Sequence, residues 1–129
     1  MMILLAAMAL NPAVTPATMN ATICKPGWAA TVRPPRAWAY RQKLALIKTT
    51  GAKQAPGRYV ADHIVPIEIG GAPHDRANLM LQTIAAGHKK DRLENTLRRG
   101  VCNGTIPLNT AQSEISSDWQ ASYKARIGK

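Results

Sequence analysis

Phenylalanine is absent from the sequence, and aromatic side chains make up only 5% of its 129 residues. The core must therefore be built from Leu, Ile, Val, Ala and Met, with three Trp as its largest members. Acidic residues are scarce as well. Seven Asp plus Glu stand against 17 Lys plus Arg, a formal net charge of +10. That imbalance points to a polyanionic partner, nucleic acid ahead of an anionic membrane surface or an acidic polysaccharide. Cysteine is nearly missing: only Cys24 and Cys102 occur, with no Cys-x-x-Cys pair, which excludes a structural zinc site built on thiolates. No uninterrupted apolar run reaches the roughly 20 residues needed to span a bilayer. The length suits one domain of about 100–150 residues and leaves no room for a large cofactor-binding α/β architecture. A hydrophobic content of 46% argues against global disorder.

Charge is also missing from the beginning of the chain: no Lys, Arg, Asp or Glu precedes Lys25. The run from Met1 to Leu10 is wholly apolar and stops at Asn11-Pro12. It is too short for a membrane span but matches the apolar region of a secretory signal, with small residues between Ala13 and Ala21 for cleavage after Ala17 or Ala21. Residues 1–21 are accordingly expected to be a signal peptide and residues 22–129 the exported domain, periplasmic or extracellular. In an exported domain of this size, a single pair of cysteines is most simply one disulfide, Cys24–Cys102.

The Pro-rich stretch from Thr22 to Arg36 reads as an extended arm with turns. From Ala37 to Lys48 the pattern is helical, with Ala37, Tyr40, Leu44 and Ile47 as its apolar stripe. Tyr59 to Ile69 is rich in β-branched residues and reads as a strand, which Pro66 places at an edge or a bulge. Gly70-Gly71-Ala72-Pro73 turns the chain, and Asn78 to Gln82 forms a second short strand. Ala85 to Arg99 reads as a helix with Gly100 as its stop. A last helix starts at Asn109 with Gln112 in a capping-box-like position, and Ile115, Trp119 and Tyr123 line one face. Trp28, Trp38 and Trp119 are expected in the core, and His74 in a plain loop. The fold class is α+β.

Chemistry concentrates in Asp62-His63-Ile64-Val65-Pro66, Gly70-Gly71, Asn78-Leu79 and His88-Lys89-Lys90-Asp91. Metal-assisted phosphodiester hydrolysis needs a hard ligand for a divalent ion and a base for water. Asp62 is a natural hard ligand, and His63 titrates near working pH. The second strand brings Asn78 beside His63, and the following helix presents His88 and, one turn on, Asp91. Lys90 falls on the apolar face of that helix. It must either reach a phosphate or snorkel with its end capped by Glu94. Arg92, Arg98 and Arg99 are read as exposed.

These residues resemble the HNH, or His-Me finger, nucleases, and the flanking segments resemble a group of small exported bacterial proteins of that kind. The resemblance covers most of the chain after the leader. It implies a ββα-metal core flanked by helices and a metal-dependent endonuclease acting on DNA rather than RNA. His63 would be the general base and Asn78 the residue orienting its loop, with one divalent ion (Mg²⁺, Mn²⁺ or Zn²⁺) held by Asp62, His88 and Asp91. Asp91 or Glu94 is the alternative helix ligand to His88. Lys89, Lys90 and Arg92 would contact phosphate. The thiolate knuckles that brace many relatives are missing. The chain is read as a monomer without a stable membrane span. The rival expectation is a non-catalytic nucleic-acid-binding or secreted interaction module with a degenerate HNH fold.

Overall fold

The computed structural model describes residues 8–128. Within them lie two strands, β1 (Tyr59–His63) and β2 (Leu79–Thr83), and four helices, α1 (Trp28–Val32), α2 (Arg36–Thr50), α3 (Ile84–Cys102) and α4 (Leu108–Arg126). The strands pair antiparallel, with Asp62 opposite Met80 and His63 opposite Leu79. The fold is thus mixed α+β.

β1 stops at His63 rather than running to Ile69, because Pro66 has no N–H to give to a ladder. Ile67–Ile69 coil into a 3₁₀ turn that ends on Gly70, whose φ of +96° lies in the left-handed region open to glycine. α3 starts where Thr83 Oγ1 accepts a hydrogen bond from Ala86 N at 3.2 Å. Its buried face carries Gly87, Lys90, Leu93, Glu94, Leu97, Gly100 and Val101, the spacing of a single helical stripe. Gly100 is not the stop that its type suggests. The helix continues to Cys102, and a Cβ on Gly100 would stand 2.3 Å from Ile106 Cδ1, so glycine is there for close packing.

α4 buries Ile115, Trp119 and Tyr123 as their spacing predicts. Gln112 does not cap it. Its side chain is buried and donates from Nε2 to Ile69 O at 2.9 Å. These α4 residues meet Leu93, Leu97 and Val101 of α3 in the core, together with Val65 and Ile69.

Three further expectations are corrected. The Pro-rich arm contains a short helix, α1. In α2, Tyr40 and Leu44 are exposed, 53% and 40%, while Trp38, Gln42 and Leu46 are half-buried. The helix is where the period put it, but it presents a different face. Apolar residues occur nearly all round this helix, so the period does not single out the buried side, and packing on β1 and β2 decides it. Of the three Trp, only Trp119 is buried; Trp28 and Trp38 are half-buried. His74 is exposed in its loop and lies edge-on to Trp38, with ring centroids 4.3 Å apart.

Residues 1–7 of the expected leader lie outside the described residues. From residue 8 to Ala21, the stretch expected to stand apart is folded onto the domain. Asn11 N donates to Gly70 O and Ala72 N to Ala9 O, both at 2.9 Å, and Leu10 bridges Gly71. Val14 is 7% exposed and joins the core. Most of this charge-free segment lies at the surface, and Val14 is its one buried residue.

Cys24 and Cys102 are joined in a disulfide that spans 78 residues and ties the N-terminal segment to the end of α3. Among the described residues, no helix is long and apolar enough to cross a membrane. Loop closure of that length stabilises a fold by about 4 kcal/mol in the chain-entropy model. Urea unfolding of the Cys24→Ser/Cys102→Ser protein is therefore expected to give a stability lower by about that amount, and an unchanged midpoint would contradict it.

Candidate active site

In the loop after β1, Val65 and Ala72 are tied together by one side chain. Asn78 is 1% exposed. Its Oδ1 accepts from Val65 N at 2.9 Å, and its Nδ2 donates to Val65 O at 2.9 Å and to Ala72 O at 3.0 Å. The amide imitates the strand partner that Val65 lacks beyond the end of the sheet. Ile64 N still donates to Asn78 O at 2.8 Å, so main chain and side chain of one residue close the ladder in succession. Gly71 makes the close approach possible: a Cβ there would lie 1.7 Å from Val65 O. Asn78 thus orients the His63 loop, as the spacing predicts, through backbone contacts alone.

His63, half-buried at the end of β1, is placed by that loop. Its Nε2 is 2.9 Å from Pro73 O. A carbonyl only accepts, so Nε2 carries the proton and Nδ1 carries the lone pair of the neutral ring. Burial lowers the His63 pKa below the ordinary imidazole value; the Pro73 bond and Asp62 oppose this, and Arg33 and Lys90 add to it. The ring is therefore neutral at neutral pH, the form that can accept a proton from water.

Asp62 and His63 occupy one wall of an open cleft of about 340 Å³, whose other lining residues include Arg33, Glu68, Asp91 and Glu94. Neighbours on a strand normally face opposite ways. Here the strand ends at His63, which lets both reach the same opening.

Beneath them lies Lys90, 0% exposed. Its Nζ donates to His63 O at 2.7 Å and to Glu94 Oε1 at 3.2 Å, and stands 3.1 Å from Asp62 Oδ2. Burial raises the pKa of both carboxyls against the pull of Lys90, upward for Asp62 and to about 8 for Glu94. Lys90 is accordingly not a phosphate contact, because its ammonium is enclosed by protein oxygens. Its capping by Glu94 is as the sequence allowed; its contacts with Asp62 and the His63 carbonyl are additional.

The other expected site residues spread out. Asp91 lines the cleft and is exposed. His88 and Lys89 are exposed on α3 and do not line it. Arg92 donates from Nη1 to Tyr123 OH at 2.9 Å and lies over that ring, turned to α4. Arg98, expected to be exposed, is half-buried and donates to Ile23 O at 2.9 Å. The set Asp62, His88 and Asp91 is therefore not assembled around one point, and one oxygen each of Asp62 and Glu94 is already engaged by an ammonium. As arranged, these residues do not fit a divalent ion. Arg33, Glu68 and the Pro73 carbonyl were missed by sequence reasoning. Arg33 and Glu68 carry no local signal, and a carbonyl is invisible to residue type.

Removing the Asn78 side chain leaves buried backbone groups without partners, each costing about 1–3 kcal/mol. Asn78→Ala is expected to destabilise the fold by about 3 kcal/mol in urea unfolding, and Gly71→Ala to do comparable damage through its clash. A Gly71→Ala protein of native stability would refute the close approach. No family model, no curated protein and no solved structure matches this chain.

Proposed function

We propose that this chain is an exported nuclease of the His-Me finger kind, hydrolysing phosphodiester bonds of nucleic acid, DNA in the first instance, with His63 as general base. The succession β1, β2, α3 around His63 is consistent with a ββα core. The observation that carries the reading is the His63 ring itself, fixed through Nε2 by the Pro73 carbonyl and neutral at the wall of an open cleft. Water bound at Nδ1 gives its proton to His63 as its oxygen attacks phosphorus, and the ester oxygen opposite leaves with the bonding electron pair and takes a proton from solvent. Such a base contributes about 10²–10⁴-fold. Arg33 is the cleft residue suited to the phosphoryl oxygens. The exposed Arg36, Arg41 and Lys48 of α2, which packs on β1, supply charge for the nucleic-acid backbone. The disulfide is consistent with export to an oxidising compartment.

A second reading, a non-catalytic nucleic-acid binder, draws on one observation. Asp62, Glu68, Asp91 and Glu94, four of the seven acidic residues, line the same cleft and oppose the entry of a phosphate.

Supercoiled plasmid and single-stranded RNA, incubated separately with purified protein, distinguish the two. Nicking is expected, slowed 10²–10⁴-fold in His63→Ala. Binding without cleavage, or a His63→Ala protein as fast as wild type, overturns the nuclease reading. The base form of His63 exists above its pKa, and burial lowers that pKa. The kcat/KM of cleavage should therefore rise with pH along an acid limb whose midpoint lies below the ordinary imidazole value. A midpoint above that value would contradict the assignment.

A further inference from the structure

The ammonium of Lys90 is surrounded by the kind of donor set that ordinarily holds a hard divalent ion. One backbone carbonyl oxygen, from His63, lies at 2.7 Å, and two carboxylate oxygens, from Asp62 and Glu94, lie at 3.1 and 3.2 Å. Oxygen donors of this type suit Mg²⁺, Ca²⁺ or Mn²⁺. The contacts with His63 O and Glu94 Oε1 are hydrogen bonds and that with Asp62 Oδ2 is an ion pair, and Lys90 is wholly buried, so the side chain cannot leave without opening the interior. Lys90 and Glu94 are one turn apart on α3, whereas Asp62 and His63 end β1. The ammonium therefore joins strand to helix at the point where an ion bridging the two would sit. A second cation in direct contact with the same oxygens would meet the repulsion of the first.

We infer that the Lys90 ammonium is the resident cation of this site, occupying the place of a divalent ion between β1 and α3, so that the cleft takes no such ion. In its catalytic consequence the inference rests on the nuclease reading: hydrolysis by this chain is metal-free, with His63 activating water and Arg33 meeting the phosphate. In its binding consequence it stands alone.

Mn²⁺ titration of the full chain, followed by the electron paramagnetic resonance signal of the free ion, tests it on wild type, Asp62→Asn, Lys90→Met and Lys90→Met/Asp62→Asn. Wild type is expected to show no site that Asp62→Asn removes. Lys90→Met keeps the length of the stem but frees the oxygens, and should bind Mn²⁺ at least 100-fold more tightly than wild type. The double variant should lose that gain. Cleavage by wild type should persist at an unchanged rate in excess EDTA. An Asp62-dependent Mn²⁺ site in wild type, or cleavage abolished by EDTA and restored by Mn²⁺, overturns the inference and leaves the nuclease reading intact. A folded Lys90→Met protein that gains no Mn²⁺ site overturns it too. Should Lys90→Met fail to fold by circular dichroism, the wild-type and Asp62→Asn titrations decide. Absence of cleavage under every condition, alongside the expected titrations, refutes the nuclease reading and upholds the resident ammonium.

Discussion

A fully buried ammonium is the constraint on which the rest of this structure depends. Removing an ion from water costs several kcal/mol, and leaving one partner of a buried pair uncompensated is strongly destabilising. Lys90 meets that cost with three oxygens drawn from two elements, Asp62 and the His63 carbonyl on β1 and Glu94 on α3. Burial raises the Glu94 pKa to about 8 against the pull of Lys90, so desolvation of this carboxyl is the cost that its contact with the ammonium offsets. The same contact fixes the backbone of His63, which lines the cleft. Position of the base and cohesion of strand with helix are one interaction.

Around it, the loop from Ile64 to Ala72 is held from three separate parts of the chain. Asn78 bonds Val65 and Ala72, Gln112 of α4 bonds Ile69, and the segment near Asn11 bonds Gly70 and Ala72. Each tie is a polar contact to backbone that would otherwise be buried without a partner, so each is expensive to break. A loop is normally the least ordered place for a catalytic group. Here side chains and backbone from three segments hold it. Pro73, at its far end, supplies the carbonyl that sets the His63 tautomer.

Charge is divided between attraction and chemistry. The net +10 suggests a uniformly basic surface, yet four of seven acidic residues face the cleft, and Arg33 is the only Lys or Arg among the described residues that line it. Exposed cations on α2 and α3 supply long-range, sequence-independent attraction for a polyanion. Arg92 and Arg98 are spent on the fold, against Tyr123 and Ile23 O. Counting basic residues along a chain does not separate these uses.

The sequence by itself determined what local pattern and residue type can encode. Strand-strand-helix order, the buried spacing of Ile115, Trp119 and Tyr123, the pairing of Cys24 with Cys102 and the loop-tying role of Asn78 were all legible, because each follows from period, count or a side chain's hydrogen-bonding capacity. Tertiary structure decided which face of α2 turns inward, that the charge-free segment before Lys25 packs onto the domain from residue 8 on, and that Gly100 serves packing rather than termination. It also decided the fate of Lys90. Its partners Asp62 and His63 lie 27 or more residues away, and no periodicity specifies where a four-methylene stem comes to rest. Only when β1 and α3 meet do the carbonyl and carboxylates converge, and convergence is what turns a lysine in a basic run into the buried ion of the site.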